Sequence, residues 1–247
     1  MIDMVSPDQA VWGGKRLPGQ NELPCSDGEP METEFHDAQA ALLKDTLIDA
    51  WQDRRDFCVA GNMFVYFSEH QVRSNDFRGP DVFVVLDCER KVRKSWVAWE
   101  EGGKLPDVVV ELTSASTARV DWGDKMRIYA QIWRTPAYFI FDPESEKLAG
   151  FALDPARRAY VPLTADSSGD FAVAPLGLGL GLRPTRYRDH ERCFVRWIDA
   201  EGKPLPTAQE RAERERERAE RERERAERER ERAEALEAEV RALREKA

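Results

Sequence analysis

The middle of the chain carries an apolar run with a glutamate near its end, Pro106-Asp107-Val108-Val109-Val110-Glu111-Leu112. A short continuous apolar run of this kind predicts a strand that is buried on both faces of a sheet. A charged side chain inside such a strand is costly unless it has a partner. Glu111 is therefore predicted either to reach solvent or to belong to a compensated polar site.

Segments on both sides of this run predict a larger sheet. Asp81 opens the apolar run 82–86, and the run 137–141 has the same character. Asp121 is predicted to cap a helix that passes through Lys125. A first helix is predicted from Glu34 to about Asp53, and further strands are predicted near 57–67, 95–99, 150–153, 159–163 and 193–198. This order predicts an α/β fold in which a mixed central sheet is flanked by helices and ends in an antiparallel part.

The two ends of the chain differ from this body. Residues 1–30 are rich in Pro, Gly and acidic groups and predict an irregular arm, whereas residues 31–206 predict one globular domain. Residues 207–247 repeat A-E-R-E-R-E-R with alanine at 212, 219, 226 and 233. The repeat predicts a long Glu/Arg-rich helix, which is either a solvated, ion-paired single helix or a coiled coil. A coiled coil would mediate assembly, for example of a homodimer.

The charge of the chain is unevenly divided between body and tail. Residues 207–247 contain 14 Glu and 13 Lys or Arg, and the whole chain contains 47 acidic and 38 basic residues. The body therefore has 47 − 14 = 33 acidic and 38 − 13 = 25 basic residues, a net charge of −8. An acidic body argues against a broad electropositive surface for nucleic acid. It does not exclude a local site, because a divalent cation can bridge carboxylates to phosphate.

Cysteine usage and hydropathy predict the compartment. The four cysteines, Cys25, Cys58, Cys88 and Cys193, form no C-x-x-C pair, and three histidines are too few to complete zinc-finger patterns. Residues 1–20 have no apolar stretch typical of a signal peptide, and no apolar run has the length of a membrane span. We expect free thiols, a cytoplasmic location and no membrane partner.

The residues with the clearest chemical potential are Asp81, Glu111 and Lys125. Two carboxylates on neighbouring strands and a lysine from the next helix make a divalent-cation site, and oxygen ligands suit Mg²⁺. Such an ion would activate water and stabilise charge on phosphate. The structural alternative is that Asp81 caps a turn while Glu111 pairs with Lys125 or Arg127.

Three blocks of sequence resemble a large bacterial family of restriction-endonuclease domains within the PD-(D/E)XK nuclease superfamily. They are Gly79-Pro80-Asp81-Val82, the segment 106–117, and the pattern Asp121-x-x-x-Lys125-x-x-x-Tyr129. The similarity continues through 138–143 and back to 26–32 with His36, so it covers roughly residues 22 to 185.

The resemblance implies a restriction-endonuclease-like fold and a nuclease that acts on nucleic acid, with DNA as the expected substrate and Mg²⁺ or Mn²⁺ as cofactor. It implies Asp81 and Glu111 as metal ligands. The superfamily pattern places a lysine two residues after the glutamate, where this chain has Thr113. As in the resembled family, Lys125 is the candidate replacement and reaches the site from a different part of the backbone.

Accessory roles are assigned to residues around these blocks. Glu32, Glu34 and His36 stand at the start of the first helix, where such nucleases often place an accessory acidic group, although a carboxylate there also suits the helix dipole. For His36 a surface position is favoured over a role as ligand or base. Ser114 could contact phosphate or begin a turn. The basic run Arg90, Lys91, Arg93 and Lys94 could contact the phosphate backbone or form a solvated loop.

Two further functions compete with an active nuclease. One is a catalytically inactive nuclease fold that binds nucleic acid or protein. The other is an assembly module in which the charged tail is the working part.

Overall fold

The computed structural model describes residues 11–12, 15–25, 33–68, 79–114 and 116–245. Within these ranges, side chains are described from residue 16 to residue 235. Two compact units are present, 1–205 and 206–247. The described part contains strands β1 (Val11–Trp12), β2 (Lys15–Arg16), β3 (Phe57–Ala60), β4 (Val65–Tyr66), β5 (Val82–Leu86), β6 (Trp96–Val97), β7 (Val108–Leu112), β8 (Ala137–Asp142), β9 (Lys147–Asp154), β10 (Ala159–Pro162), β11 (Phe171–Val173), β12 (Leu178–Tyr187) and β13 (His190–Ile198). The helices are α1 (Glu34–Ala50), the helical segment 118–133, here α2, and α3 (Ala208–Glu245).

A six-stranded mixed sheet forms the centre of the first unit, in the order β10-β9-β8-β7-β5-β3. Strands β7 and β8 are parallel, whereas the other neighbours in this sheet are antiparallel. The predicted mixed central sheet with a late antiparallel part is confirmed. A parallel pair needs a crossover connection, and α2 supplies it between β7 and β8.

The two faces of the central sheet are covered differently. On one face, Val82, Val84 and Val110 pack against α1 and against an antiparallel sheet of order β11-β12-β13. On the other face, Phe83 and Val109 pack with residues of α2. Burial on both faces explains why these strands are apolar at every position except where a polar site interrupts them.

Helix α1 begins where Thr33 accepts a hydrogen bond from the backbone N–H of His36. This cap satisfies one of the free N–H groups at the start of the helix. The helix ends at Ala50, three residues earlier than the predicted end near Asp53. Part of the N-terminal arm contacts the domain, because the indole N–H of Trp99 donates to the carbonyl of Pro18 and the Tyr66 hydroxyl donates to the carbonyl of Pro24.

The predicted strand 95–99 is shorter than expected. Strand β6 contains only Trp96 and Val97, and a 3₁₀ turn, Ala98–Glu100, follows it. Trp96 is fully buried and its indole N–H donates to the carbonyl of Lys104, so this tryptophan belongs to the core.

Helix α2 is not a regular α-helix. It begins with Ala118–Val120, widens into π-helical turns at Asp121–Lys125 and Tyr129–Trp133, and is α-helical between them at Met126–Ile128. The prediction that Asp121 caps this helix is wrong. Asp121 has helical backbone angles and lies one turn inside the helix, because Ala118 already begins the helical geometry.

The second unit contains the helix α3, which confirms the predicted long, charged C-terminal helix. Thr207 and Glu210 form a reciprocal cap, in which each side chain accepts a hydrogen bond from the other residue's backbone N–H. Ion pairs four residues apart follow, among them Arg218–Glu222 and Arg225–Glu229. No described helix combines the length and the apolar character needed to cross a lipid bilayer.

Candidate metal centre

The pairing of β5 with β7 brings two predicted site residues together. Val82 lies opposite Val110, so the next position on each strand places Asp81 opposite Glu111. Directly opposed residues of an antiparallel pair project on the same face of the sheet. The backbone N–H of Asp81 lies 3.4 Å from Oε2 of Glu111, and the backbone N–H of Leu112 donates to Oδ2 of Asp81 over 2.7 Å. Each acid therefore contacts the strand that carries the other.

Helix α2 supplies the remaining polar contacts of Glu111. Lys125 Nζ lies 3.0 Å from Oε2 of Glu111, and the Tyr129 hydroxyl donates to Oε1 over 2.8 Å. Glu111 itself is 0% exposed, so these contacts compensate a carboxylate with no access to solvent. The prediction that Glu111 belongs to a compensated polar site matches this geometry, and so does the alternative that it pairs with Lys125.

Asp121 is a third acid in the same cluster. Its carboxylate lies 2.8 Å from Lys125 Nζ, and only 1% of Asp121 is exposed. The lysine is thus held between Asp121 on its own helix and Glu111 on β7. Asp81 is only partly buried and 18% of the Lys125 side chain is exposed, so these two groups form the side of the cluster that solvent reaches.

Burial changes the protonation of the two opposed carboxyl groups. Burial raises the pKa of Glu111 to about 8, with Lys125 opposing the rise and the neighbouring Asp81 adding to it. Burial also raises the pKa of Asp81, against the lowering effects of Lys125 and of the Leu112 N–H. For Lys125, burial lowers the pKa, but the carboxylates of Glu111, Asp81 and Asp121 outweigh it and raise the pKa above its ordinary value. The lysine is an ammonium ion at neutral pH.

Tyr129 remains protonated for similar reasons. Burial and the Glu111 carboxylate raise the pKa of its hydroxyl well above the ordinary value. Tyr129 therefore acts as a fixed hydrogen-bond donor that holds one oxygen of Glu111 in place, leaving the other oxygen near Lys125 and Asp81.

Gly61 makes the position of Asp81 possible. A Cβ atom on Gly61 would lie 2.0 Å from the Asp81 carbonyl oxygen, so only glycine allows the two backbones to approach this closely. The next residue, Asn62, donates its N–H to the carbonyl of Pro80 and has a positive φ of 50°. The Gly61-Asn62 pair, which interrupts the predicted strand 57–67, therefore sets the backbone path beside Asp81.

The carboxyl groups of the centre offer oxygen donors, the kind of ligand that divalent cations such as Mg²⁺ take in proteins. Among the described residues, no group of three or more His, Cys, Asp or Glu side chains could hold an ion alone. The two opposed carboxylates of Asp81 and Glu111 would therefore suit only an ion that keeps several of its waters, as Mg²⁺ does.

The predicted accessory residues lie at two other places. Glu32 is outside the described residues. Glu34 is exposed in the first turn of α1, whereas His36 is 6% exposed and its Nδ1 lies 2.7 Å from the Thr33 hydroxyl. The surface position favoured for His36 is wrong, because the residue packs into the start of α1. Ser114 accepts hydrogen bonds from the N–H groups of Ser116 and Thr117, so it begins a turn.

The basic run 90–94 is partly engaged in structural contacts. Arg90 donates to backbone carbonyls of residues 51, 52 and 54, and the Arg93 side chain is 1% exposed in a two-bond pair with Glu101. Lys91 also lies 3.3 Å from Glu101. Val92 and Lys94 are exposed. A phosphate contact by Arg93 would require this buried pair to open, so Lys94 is the residue of the run best placed for such a contact.

Sequence reasoning missed the roles of Asp121, Tyr129 and Gly61. The pattern Asp121-x-x-x-Lys125-x-x-x-Tyr129 contains the signal, since residues four apart lie on one face of a helix. Assigning Asp121 to a cap removed it from that face. Nothing in the local sequence around Gly61 indicates a contact with a residue twenty positions later.

The curled mixed sheet with helices on both faces is a restriction-endonuclease-like fold. Residues 17–186 match the Uma2 family, whose description is "Putative restriction endonuclease". Because the match covers more than half of the chain, the chain belongs to the Uma2 family, as the sequence resemblance indicated. A search of curated proteins found no significant match.

Proposed function

We propose that this protein is an Mg²⁺- or Mn²⁺-dependent nuclease that hydrolyses phosphodiester bonds in DNA, with Asp81 and Glu111 as metal ligands and Lys125 as the third catalytic residue. The observation that carries the proposal is that Glu111 contacts both Asp81 and Lys125, where β5 begins and β7 ends. Membership of a family described as restriction endonucleases supports the nuclease class.

Asp81 and Glu111 would hold the cation, and Tyr129 would hold Glu111 in place. A bound divalent cation supplies Lewis acidity, which activates water and stabilises negative charge on phosphate. Asp81 and Glu111 must lose their protons to bind it, and the raised pKa of each makes this loss part of the binding reaction. Tyr129 keeps the Glu111 carboxylate fixed during this change.

Lys125 has the geometry for a charge-stabilising role. Its side chain is 18% exposed and its ammonium lies beside Glu111, so a phosphate oxygen that enters from the solvent side could accept a hydrogen bond from it. Asp121 orients the ammonium and keeps it protonated. The arrangement provides a fixed positive charge where the pentavalent phosphate develops negative charge.

A catalytically inactive fold that binds nucleic acid or protein is the second candidate. Thr113 occupies the position at which the superfamily has its lysine, and the Thr113 side chain is buried. The ammonium of Lys125 is held by two carboxylates, Glu111 and Asp121. In this reading Lys125 is a structural counter-ion, and the centre binds a cation without hydrolysing anything.

A cleavage screen separates the two candidates. Single- and double-stranded DNA and RNA are incubated with the protein in Mg²⁺, Mn²⁺ or chelator. An active nuclease requires that Asp81→Ala removes both cation binding and cleavage, and that Lys125→Ala removes cleavage while cation binding remains. Cation binding by the unmodified chain without any metal-dependent cleavage would favour the inactive candidate.

The roles of the tail and of the compartment are also proposals. We expect that α3 could mediate assembly, as a homodimer or with another partner, and removal of residues 207–247 tests this by its effect on oligomer mass. An unchanged mass would exclude the tail as the main assembly element. The four cysteines are free thiols, which supports the proposed cytoplasmic location.

A further inference from the structure

A cavity of about 670 Å³ lies beside the candidate metal centre. Thr113, two residues after Glu111, and Trp122, three residues before Lys125, both line it. The cavity therefore borders the end of β7 and the helix α2, which both carry residues of the centre, and its wall at Thr113 lies about 7 Å along the extended chain from Glu111. Its volume lies within the range of small-molecule sites, which is roughly 300–1,000 Å³.

Apolar side chains form much of the cavity wall. Phe171 and Leu148 line it, and Trp122 lies at it with 49% of its surface exposed. The edge-to-face contact of Trp122 with Phe151, at 5.7 Å between ring centroids, holds the indole in position. Among the large exposed apolar side chains of the described residues, Trp122 is the single aromatic one. An indole fixed in this way is a platform on which a flat ring can stack.

The charged groups at the cavity select against a phosphate. The lining residues Asp142, Glu144 and Glu146 carry negative charge, and Lys147 alone opposes them. The Asp142 carboxylate is engaged by the N–H groups of the following turn, whereas Glu144 is exposed. Carboxylates accept hydrogen bonds from the exocyclic amino groups of cytosine and similar bases. The cavity thus suits the base of a nucleotide whose phosphate lies elsewhere.

A buried polar group also points to a ligand. Thr113 is 4% exposed, and its hydroxyl has no hydrogen-bond partner among the described residues. Buried hydroxyl groups are normally paired, and a polar atom of a ligand in the cavity could supply the partner.

We infer that this cavity is a nucleobase subsite, in which an unstacked, amino-bearing base rests on Trp122 while a phosphate of the same strand reaches the metal centre. This inference rests on the proposed nuclease function and names its substrate: nucleic acid that is single-stranded, or opened at the cleavage point. The acidic body supports this choice, because affinity for duplex DNA comes mainly from neutralising many phosphates. Stacking of one base on an aromatic ring adds affinity that does not come from contacts to phosphate.

The test compares Trp122→Ala with Ile132→Ala on the full chain. Ile132 lies on the same helix, is also 49% exposed and does not line the cavity, so it controls for loss of an exposed apolar side chain. Fluorescence anisotropy measures binding of labelled oligomers of about eight nucleotides, as single strands and as duplexes. Trp122→Ala is expected to weaken single-strand binding about five- to a hundredfold, with Trp122→Phe intermediate and Ile132→Ala unchanged.

Base preference gives a second readout. Oligo-dC is expected to bind more tightly than oligo-dT, and Glu144→Gln to reduce that preference by at least about threefold. Equal effects of Trp122→Ala and Ile132→Ala, or tighter binding of duplex than of single strand, would overturn the inference.

The stability gained on adding Mg²⁺ reports on the centre separately. Asp81→Asn should abolish this gain, whereas Trp122→Ala should keep it. If Asp81→Asn keeps the gain, the proposed metal-dependent function fails. If the gain behaves as expected but Trp122→Ala binds single strands normally, only the nucleobase subsite fails.

Discussion

The substitution Glu111→Gln should stabilise the metal-free protein at alkaline pH while abolishing its response to Mg²⁺. Glutamine has the shape of a protonated glutamate and does not titrate. The pKa of Glu111 is raised from 4.5 to about 8, because burial penalises the carboxylate more than Lys125 stabilises it. A raised pKa means that the folded state binds a proton more tightly than the unfolded state. The stability that this proton supplies is complete below about pH 4.5 and is lost as the pH rises towards 8.

The size of this loss of stability follows from the ordinary and the raised pKa of Glu111. Since each pKa unit is worth about 1.4 kcal/mol, a rise from 4.5 to about 8 corresponds to a loss on the order of 4–5 kcal/mol above pH 8. Glu111→Gln should avoid most of this loss. For a protein of this size, 1 kcal/mol shifts the melting temperature by about 2–4 °C. The variant should therefore melt on the order of 10 °C above the unmodified protein at alkaline pH in chelator, and at nearly the same temperature at about pH 5.

Magnesium should narrow this difference in stability at alkaline pH by about half. The unmodified protein gains about 2.7 kcal/mol when free Mg²⁺ is a hundredfold above its dissociation constant, whereas the variant lacks one of the two ligands and should gain little. Thermal unfolding, followed by circular dichroism with Mg²⁺ or with chelator across this pH range, measures both effects.

Glu101 provides the matched control. The Glu101 side chain is also largely shielded, with 7% exposed, but its hydrogen bonds with Arg93 outweigh burial and hold its pKa below the ordinary value. Its contribution to stability is present above about pH 4.5 and is lost as the pH falls. Glu101→Gln should therefore destabilise the protein at alkaline pH, with or without Mg²⁺. If Glu111→Gln is also destabilising there, or if it keeps the full Mg²⁺ response, the account of the centre is wrong.

Three further outcomes are expected. Gly61→Ala should destabilise the protein by about 1–3 kcal/mol and weaken Mg²⁺ binding, because the added Cβ meets the Asp81 carbonyl. Gly123→Ala is the control, since a Cβ there has no heavy atom within 4 Å. In the same melting assay it should be neutral or stabilise the protein by up to about 1 kcal/mol. Thr207→Ala should cost about 1 kcal/mol of α3 stability through loss of the reciprocal cap, measured by circular dichroism of peptide 206–247; an unchanged melting curve would contradict the cap. Raising the salt concentration should lower the helicity of that peptide by screening its Arg–Glu pairs, and no salt dependence would argue against their contribution.

Much of the central sheet could be predicted because its strands are buried on both faces. Apolar runs at 82–86 and 108–112 leave little choice of secondary structure, and the position of Glu111 within its run marks the polar interruption. The relative register of the two strands, which places Asp81 opposite Glu111, depends on tertiary pairing and is not encoded locally.

Strand β12 shows why other elements were not predicted. Its sequence begins Leu178-Gly179-Leu180-Gly181, and glycine ordinarily weakens a strand. In the fold these glycines relieve crowding, since a Cβ on Gly179 would lie 3.1 Å from Ile198 and one on Gly181 would meet the Asp170 carboxylate. Because neighbours distant in sequence require these glycines, local strand propensity alone does not predict β12.

The wide turns of α2 make the centre sensitive to insertions and deletions as well as to substitutions. A π-helical turn contains an extra residue relative to an α-helical turn, and one residue corresponds to about 100° of rotation around a helix axis. Removing a single residue between Asp121 and Lys125 would turn the downstream helix by that angle and carry the ammonium away from Glu111. Among related chains, a change of length in this segment should therefore coincide with loss of the lysine's role even where every acidic residue is retained.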